Sequence, residues 1–315
     1  QININLLNKL IETYSPSYLF VKNKFKIPKN YEIFLELEGY SILRKKSDFK
    51  ILTHKNLRLL LTTSGSTGSN KFVRISDENI FSNTRSIIRY LNINSTHRSL
   101  TTMPPFYTYG LSILNTHIIR GASILVTDRR VIEKKFWEFF NDFKITSFGG
   151  VPFFYEVLFR LNFNKMNLKY LKYFTVAGGR LKLELVKYFN HYAYQNAKKF
   201  IVMYGQVEAT SRISYLDFKY HATKIGSIGK AIPGGRLFLN KKKEICYKGK
   251  NVSMGYAKSL KDLNGKDSNK GLLQTGDLGY CDTDGFFFIS GRKSRDIKFL
   301  GRFIRVDNML REEIN

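Results

Sequence analysis

The sequence predicts an α/β protein made of stacked βαβ units, with a mostly parallel sheet and a small β-rich subdomain. Three observations support this fold class. Between residues 99 and 205, short apolar runs alternate regularly with longer segments of helical spacing. The links between these segments are short and carry glycine, as in βαβ units. After about residue 215, frequent glycines and short alternating runs indicate strands joined by turns.

Each segment of the alternating region has the length of one element. We predict buried strands at residues 99–103, 122–127, 145–148, 173–177 and 200–203. We predict helices at residues 111–120, 131–143, 152–161 and 181–196. An earlier strand at 57–62 and a helix at 76–91 fit the same scheme. Repeated strand–helix–strand order favours parallel pairing, since parallel strands need a crossover connection.

The C-terminal third has shorter elements. We predict strands at residues 236–239, 244–247, 279–281 and 286–289, and Asp284-Gly285 between the last two is a hairpin-type turn signal. For residues 291–315 we predict a strand followed by the start of a helix. The predicted domains are therefore an α/β core at 1–215, a β-rich subdomain at 216–290 and a C-terminal segment at 291–315.

Composition narrows the class of protein. The chain has 315 residues, of which 43% are hydrophobic, so it can bury a sizeable core. Its two cysteines, Cys246 and Cys281, exclude a disulfide-dense scaffold and a cysteine-rich zinc site. No apolar run approaches 18 residues, and residues 1–9 lack the basic-then-apolar order of a signal peptide. We expect no transmembrane segment and a cytoplasmic location.

The net charge is strongly positive. Lys and Arg number 52 against 25 Asp and Glu, which gives +27 at pH 7. This excess leaves open a basic, nucleic-acid-associated protein as an alternative. The basic residues are scattered, however, and the densest runs, such as 241–243, are short. We therefore expect no nucleic-acid partner and interpret the charge as a general attraction to polyanions such as ATP or coenzyme A.

The sharpest chemical signal is a run of small residues before a lysine. The run is Thr63-Ser64-Gly65-Ser66-Thr67-Gly68-Ser69-Asn70-Lys71. Small residues let backbone N–H groups approach a phosphate, hydroxyls add donors, and the lysine adds a positive charge. The run is not a Walker A loop, because Phe72 follows the lysine where that loop has Ser or Thr. On composition alone, a flexible surface loop is an equal alternative.

Four motifs in order resemble those of the adenylate-forming superfamily, which comprises acyl-CoA synthetases, carrier-protein adenylation domains and luciferases. The run at 63–71 is similar to its phosphate loop, Ser-Gly-Ser-Thr-Gly-x-Pro-Lys. The run Tyr-Gly-Gln-Val-Glu at 204–208 resembles its Tyr-Gly-x-Thr-Glu motif, and Gln-Thr-Gly-Asp at 274–277 matches its Thr-Gly-Asp motif. Residues 291–301 resemble its hinge motif, Gly-Arg-x-x-x-x-Ile-Lys-x-x-Gly. The resemblance extends from about residue 57 to the end of the sequence.

The resemblance implies a role for each matching residue. The implied ATP and AMP ligands are Thr63, Ser64, Gly65, Ser66, Thr67, Gly68, Lys71, Gly178, Gly179, Tyr204, Gly205, Asp277 and Arg292. Among these, the loop residues and Lys71 hold the β- and γ-phosphates, and Tyr204 stacks on adenine. Asp277 accepts hydrogen bonds from the ribose, and Arg292 donates to the ribose or α-phosphate. Glu208 is the implied Mg²⁺ ligand, and Lys71, Glu208 and Arg292 are the implied catalytic residues.

The sequence departs from the superfamily pattern at several points. Val207 stands where a Thr hydroxyl normally contacts the α-phosphate, a hydrogen bond worth about 1 kcal/mol. Tyr107 replaces the usual His in a Pro-x-Phe-His-x-x-Gly motif, so Tyr107 and Gly110 are expected to line the acyl pocket. No acid occurs there to pair with an ammonium group, which argues against an ordinary α-amino acid substrate. The hinge position falls near Ser294, and the superfamily's C-terminal domain, with its catalytic lysine, is expected to be missing from this chain.

The predicted activity is ATP-dependent activation of a small carboxylic acid to an acyl-adenylate. Transfer to a thiol would follow, either on coenzyme A or on the phosphopantetheine of an acyl-carrier protein. ATP and Mg²⁺ are the implied cofactors. A second hypothesis is a catalytically silent module that binds nucleotide or a partner, favoured by Val207, Asn70 and the missing domain. Pyrophosphate exchange distinguishes this module from the enzyme, and a salt-sensitive gel shift would support the nucleic-acid alternative.

Overall fold

A computed structural model of the protein describes residues 4–47, 51–62, 71–293, 296–299 and 302–305. The chain divides into two compact units, each treated separately below. The first unit comprises Gln1–Ser76 and Met254–Ser268, and the second comprises Asp77–Ser253 and Asn269–Asn315. The domain boundaries predicted after residues 215 and 290 remain predictions.

The strands are numbered in chain order. They are β1 (Tyr18–Lys22), β2 (Tyr31–Leu37), β3 (Tyr40–Lys45), β4 (Leu57–Thr62), β5 (Phe72–Ser76), β6 (Arg98–Leu100), β7 (Ser123–Leu125), β8 (Ser147–Gly150), β9 (Tyr173–Val176), β10 (Lys199–Tyr204), β11 (Ser214–Tyr215), β12 (Lys230–Ala231), β13 (Gly235–Leu239), β14 (Glu244–Gly249), β15 (Tyr256–Ala257), β16 (Leu272–Cys281), β17 (Phe287–Arg292), β18 (Asp296–Phe299) and β19 (Arg302–Arg305). The α-helices are α1 (Ile4–Tyr14), α2 (Asp77–Leu91), α3 (Thr108–Ile119), α4 (Lys134–Asp142), α5 (Pro152–Arg160) and α6 (Leu183–Gln195).

The first unit contains two antiparallel sheets. One has the strand order β1-β3-β2 and buries Leu19 and Leu43 against Ile11 of α1. The other has the order β15-β5-β4. The prediction that strand 57–62 belongs to the βαβ scheme was wrong, because β4 pairs antiparallel with β5, which follows it directly after residues 63–70. No strand was predicted at the position of β5, because its five residues lie between the small-residue run and α2 without a turn signal of their own.

A buried arginine joins the two segments of the first unit. Arg74 lies on β5, and its guanidinium donates to the carbonyls of Met254, Gly265 and Lys266 at 2.7, 2.5 and 2.9 Å. Burial lowers the pKa of Arg74, since removing the charge from water penalises the protonated form. Three carbonyl acceptors compensate that penalty and hold residues 254–268 against β5.

The second unit is organised around a seven-stranded sheet of the order β12-β11-β10-β9-β8-β6-β7. The strands β10, β9, β8, β6 and β7 pair in parallel with their neighbours, whereas β11 pairs antiparallel with β10 and β12 pairs antiparallel with β11. The α/β fold class with a mostly parallel sheet is thus confirmed. After β6 the chain adds β7 on one side and β8 on the other, so the strand order reverses between β6 and β8. In open α/β sheets such a reversal marks the usual place of a ligand crevice.

Aromatic side chains fill the hydrophobic core between the seven-stranded sheet and the helices that cover it. Phe174 of β9 is fully buried, and its ring stacks on Phe148 at 5.5 Å and on Phe200 at 4.9 Å between ring centroids. Phe163 and Phe189 contact the same ring at 5.6 and 6.1 Å. These residues come from strands and helices that are far apart in sequence, so one cluster fixes the strands relative to the helices that cover them.

A four-stranded antiparallel sheet of the order β13-β14-β16-β17 completes the described second unit, apart from the β18–β19 hairpin. The predicted turn at Asp284-Gly285 joins β16 to β17, and Gly285 has φ +81°, which glycine adopts without strain. The helix predicted towards residue 315 lies outside the described residues. Within the described part of the chain, every helix is too short or too polar to cross a membrane.

The aromatic core leads to a stability prediction. Phe174→Ala should lower the free energy of unfolding by about 3–5 kcal/mol, because it removes a large buried ring and leaves a cavity. Urea denaturation followed by circular dichroism measures the difference. Phe153→Ala is the matched control, since Phe153 is 72% exposed and its loss should change stability by less than about 0.5 kcal/mol. Similar losses for the two variants would show that the cluster does not organise this unit.

Candidate active site

The sequence-predicted residues of the second unit collect at the carboxyl ends of its parallel strands. Tyr204 is the last residue of β10, and Gly178 and Gly179 follow β9 after Ala177. The two glycines are exposed, and Gly178 has φ +84°. Because these strands are parallel neighbours, the segments that follow them emerge at the same edge of the sheet.

Tyr204, Asp277 and Arg292 come together at this edge. The Tyr204 hydroxyl donates to Oδ2 of Asp277 at 2.5 Å, and Arg292 Nε lies 3.6 Å from Oδ1 of the same carboxylate. Asp277 on β16 is directly opposite Arg292 on β17 in the antiparallel register. Burial and the Asp277 charge raise the pKa of Tyr204 far above its ordinary value, so its hydroxyl remains a donor. Three residues predicted from separate motifs therefore form one polar cluster.

A second carboxylate fixes the backbone of β16 next to Asp277. Glu244 is only 2% exposed, and its Oε1 accepts from the Gly276 N–H at 3.0 Å. Its Oε2 accepts from Asn240 Nδ2 at 2.9 Å and from Lys293 Nζ at 3.2 Å. Lys243-Glu244 stands where the superfamily usually has Gly-Glu, but Glu244 was not among the predicted site residues, because two of its hydrogen-bond partners lie far away in the sequence.

The Tyr-Gly-Gln-Val-Glu run leaves β10 in a tight turn. A side chain at Gly205 would place its Cβ 1.9 Å from the Ser211 carbonyl oxygen, so this position requires glycine. Glu208 lies half-buried in a short 3₁₀ turn, and its carbonyl accepts from the Ser253 N–H at 2.8 Å. The turn ends at Thr210, which has φ +65°. The backbone thus holds Glu208 at the same strand edge as Tyr204.

The two residues expected in the acyl pocket have different surroundings. Tyr107 is exposed just before α3, whereas Gly110 is buried, with a hypothetical Cβ 2.2 Å from the Pro104 carbonyl oxygen. The neighbouring Tyr109 of α3 lines a cavity, together with Arg212 and residues of α2 and of the strands β6, β8, β9 and β10. The only available signal for Tyr109 was its place beside Tyr107 in the Pro-x-Phe-His-x-x-Gly-like motif.

Several predicted residues fall outside this cluster. Thr63, Ser64, Gly65, Ser66, Thr67 and Gly68 lie outside the described residues, as does the hinge position Ser294. Lys71 belongs to the first unit, where its Nζ lies 3.1 Å from the centroid of the Tyr256 ring. Among the described residues, no group of three or more His, Cys, Asp or Glu is arranged to hold a metal ion.

Comparison with known proteins identifies the family. The family model described as AMP-binding enzyme matches residues 19–257, which is well over half of the chain. The chain therefore belongs to the AMP-binding enzyme family. This result confirms the resemblance to the adenylate-forming superfamily that the four motifs indicated.

Individual relatives are similar over about half of their own length. The 2-succinylbenzoate–CoA ligase of Geobacillus sp. (strain WCH70) is 28% identical over 282 residues, which cover 85% of this chain and 56% of the relative. The luciferin 4-monooxygenase of Luciola mingrelica is 27% identical, covering 78% of this chain and 47% of the relative. A solved structure of o-succinylbenzoate CoA synthetase from Bacillus subtilis, in complex with the acyl-adenylate intermediate OSB-AMP, superimposes with a TM-score of 0.65. It is 26% identical, and the alignment covers 78% of this chain and 51% of that protein.

The Glu244 network leads to a pH prediction. Hydrogen bonds from Lys293, Asn240 and Gly276 outweigh burial and lower the pKa of Glu244 below its ordinary 4.5. Between the folded and the unfolded pKa of Glu244, the unfolded chain therefore binds more protons than the folded one. The contribution of the Glu244 carboxylate to the free energy of unfolding is complete above about pH 4.5 and disappears as the pH falls through the folded pKa. Glu244→Gln should lower the free energy of unfolding by about 1–3 kcal/mol at pH 7 and by progressively less below pH 4.5.

Urea denaturation at pH 7, 5, 4 and 3 measures this difference. Glu184→Gln is the control, because Glu184 is exposed on the first turn of α6. A loss for Glu244→Gln that stays constant from pH 7 to pH 3 would contradict the assigned pKa direction.

Proposed function

We propose that this chain is the adenylating part of an AMP-forming acid–thiol ligase. The observation that carries the proposal is the convergence of Tyr204, Asp277 and Arg292 at one edge of the parallel sheet. The proposed reaction joins a carboxylic acid to AMP and then transfers the acyl group to coenzyme A or to a carrier-protein phosphopantetheine. The chain spans about half the length of the curated relatives it matches, so the activity of the whole protein is part of this proposal.

The adenosine would bind beside Tyr204. Its ring offers a flat apolar face to adenine, and its hydroxyl is already held by Asp277. A carboxylate has about four acceptor positions, so Asp277 can receive Tyr204 and still accept from the two ribose hydroxyls. Arg292, on the other side of Asp277, would donate to the ribose or to the α-phosphate. Gly178 and Gly179 would let the backbone pass close to the adenine.

The triphosphate would be held at two places. Backbone N–H groups and hydroxyls of residues 63–68, with Lys71, would bind the β- and γ-phosphates. Glu208 is a suitable ligand for Mg²⁺, which commonly takes only one or two protein carboxylates and completes its shell with phosphates and water. A single carboxylate is therefore compatible with the metal, which would neutralise charge on the phosphate oxygens when bound.

The chemistry requires positioning more than covalent work. A carboxylate oxygen attacks the α-phosphorus, the bond to the bridging oxygen breaks, and pyrophosphate leaves with the electron pair. A thiolate sulfur then attacks the acyl carbon and displaces AMP. The proposed contributions of this chain are orientation of the two reactants and stabilisation of the negative charge by Arg292 and Lys71.

The assignment of Asp277 predicts a specific change in nucleotide affinity. Asp277→Ala should weaken AMP binding at least about tenfold, because hydrogen bonds to a charged group are worth about 1.5–3 kcal/mol. It should also reduce the preference for AMP over 2′-deoxy-AMP, since the lost acceptor serves the ribose hydroxyl. Calorimetric titration of both nucleotides gives this comparison, with Asp142→Ala as an exposed control. An unchanged preference would mean that Asp277 only orients Tyr204.

The assignment of Glu208 predicts a difference between two nucleotides. Glu208→Gln should weaken magnesium-dependent binding of ATP much more than binding of AMP, because the carboxylate is assigned to the metal and adenine binding depends on Tyr204. Calorimetry with ATP and Mg²⁺, and separately with AMP, measures both affinities, and Glu184→Gln is the matched control. Equal losses for the two nucleotides would show that Glu208 has a structural role.

A further inference from the structure

The amino ends of the five parallel strands form the amino edge of the sheet in the second unit. This edge lies opposite to the one that carries Tyr204, because the five strands run in the same direction. Hydrogen bonds join the strand starts: the Lys199 N–H donates to the Lys172 carbonyl at 3.0 Å, and the Lys172 N–H donates to the Thr146 carbonyl at 2.8 Å. The Thr146 N–H in turn donates to the Arg98 carbonyl at 2.8 Å. At about 4.8 Å per strand, this edge is about 19 Å wide.

The segments that reach the amino edge are rich in basic residues and poor in acidic ones. These segments are residues 93–98, 118–123, 141–147, 159–173 and 195–199. Their basic residues are Arg98, Arg120, Lys144, Arg160, Lys165, Lys169, Lys172, Lys198 and Lys199, whereas Asp142 is their one acidic residue. In the whole sequence, 52 basic residues stand against 25 acidic ones. The basic excess at this edge is therefore larger than the general excess of the sequence.

The lysines of the amino edge lie in solvent. Lys144, Lys169, Lys172 and Lys199 are exposed, and none of them forms an ion pair with a carboxylate of the described residues. The half-buried ring of Tyr170 lies between two of them, with its centroid 5.8 Å from Lys144 Nζ and 5.6 Å from Lys169 Nζ. Their positive charge is therefore available to an external anion.

A buried lysine holds the loop that carries two of these charges. Lys198 is 8% exposed, and its Nζ donates to the carbonyls of Leu168 and Leu171 at 2.8 and 3.0 Å. These two carbonyls flank Lys169 and directly precede Lys172. The backbone under both exposed lysines is thus fixed before any partner binds, which lowers the entropic cost of binding.

Exposed apolar side chains lie beside the basic ones on both faces of the sheet. Ile118 and Ile119 end α3 and are 62% and 46% exposed, and Phe143 follows α4 and is 45% exposed. The two helices cover opposite faces, since α3 packs in the cluster of Tyr173, and α4 packs in that of the next residue, Phe174. The amino edge therefore presents apolar groups on either side of a row of charges.

The apolar and basic groups are direct neighbours. Arg98 Nε donates to the Phe143 carbonyl at 2.6 Å, Lys144 is the next residue, and Arg120 follows Ile119. A basic surface alone fits any polyanion, but exposed isoleucines contribute nothing to binding a nucleic-acid backbone. A bilayer surface uses both kinds of group, because anionic headgroups attract Lys and Arg and apolar side chains enter the boundary between headgroups and acyl chains. Tyrosine is also enriched at this boundary.

We propose that the amino edge binds the surface of an anionic lipid bilayer. The lysines and arginines lie at the headgroups, and Ile118, Ile119 and Phe143 enter the interface. The opposite edge, with Tyr204, then faces away from the bilayer at a distance of about 20 Å, since β10 has six residues at about 3.3 Å each. None of the residues at the amino edge belongs to the proposed nucleotide site, so bilayer binding does not depend on the proposed reaction.

Vesicle flotation of the 315-residue chain tests this surface. Vesicles of phosphatidylcholine alone are compared with vesicles in which about one third of the lipid is phosphatidylglycerol. Binding to the anionic vesicles should be at least about tenfold tighter than binding to the neutral ones. It should weaken between about 0.05 M and about 0.5 M salt, because salt screens the attraction between the lysines and the headgroups.

Two double variants separate charge from insertion. Lys144→Glu with Lys172→Glu should weaken binding to the anionic vesicles at least about tenfold, because each basic residue near such a surface adds to the attraction. Ile118→Ser with Ile119→Ser should weaken it about fivefold or more at unchanged net charge, because less apolar surface enters the interface. Circular dichroism and thermal unfolding establish that each variant is folded.

Matched controls lie at the opposite, carboxyl edge of the same sheet. Arg130→Glu with Lys182→Glu makes the same change in net charge as the lysine pair, and both residues are exposed. Phe153→Ser removes an apolar side chain that is 72% exposed. Neither control should change vesicle binding by more than about twofold, since these side chains face away from the bilayer.

Loss of binding in both amino-edge variants with unchanged controls supports the proposal. Absence of binding to anionic vesicles overturns it, and equal weakening in the controls also does, since net charge alone would then cause the attraction. Unchanged binding of the isoleucine variant overturns it as well, because nothing would enter the interface. A single-stranded RNA is the comparison ligand, and RNA binding that needs Lys144 and Lys172 without vesicle binding would make this edge a nucleic-acid surface. If the first lysine pair does not fold, Lys169→Glu with Lys199→Glu replaces it.

Discussion

The structure of the second unit depends on one constraint: both faces of its parallel sheet must be covered by other parts of the chain. Parallel strands in such folds are buried on both sides, and here aromatic rings around Phe174 fill one side while α2 and α3 pack beside the cavity. The side chains in the middle of each strand are then used for core packing, and only side chains at the strand ends can contact a ligand. Tyr204 at the end of β10 and the glycines after β9 lie there for this reason. The fold thus decides where chemistry is possible before any particular residue is considered.

The polar residues at that edge are held by other polar residues. Asp277 accepts from Tyr204 and lies beside Arg292, and Glu244 holds the adjacent Gly276 of β16 and the Lys293 side chain after β17. The half-exposed Arg292 and Lys293 lie beside the two largely buried carboxylates and offset much of the cost of burying their charges. Groups that are fixed before a ligand arrives lose little freedom on binding, and such preorganisation strengthens both affinity and charge stabilisation.

The fold class and much of the nucleotide cluster were predictable from the sequence, because both leave local patterns. Buried parallel strands are continuous apolar runs, and Tyr204, Asp277 and Arg292 each belong to a short motif. The antiparallel pairing of β4 with β5 was not predictable, since an apolar strand looks the same in either kind of sheet. The burial of Arg212 could not be predicted for another reason, because a single arginine in a basic sequence does not differ from the many exposed ones. Long-range packing, which decides burial, has no local signature.

The contact of Arg74 with Gly265 has a consequence for synthesis on the ribosome. The two residues are 191 positions apart, and at about 5–20 residues per second the second is made roughly 10–40 s after the first. The carbonyl of Met254, 180 positions after Arg74, and the strand β15 are made only near the end of that interval, so the guanidinium and β5 lack these partners for most of it. The first unit therefore cannot complete its structure before residues 254–268 have been made. Its exposed strand edge has to be tolerated, or shielded by chaperones, until nearly the whole second unit has been translated.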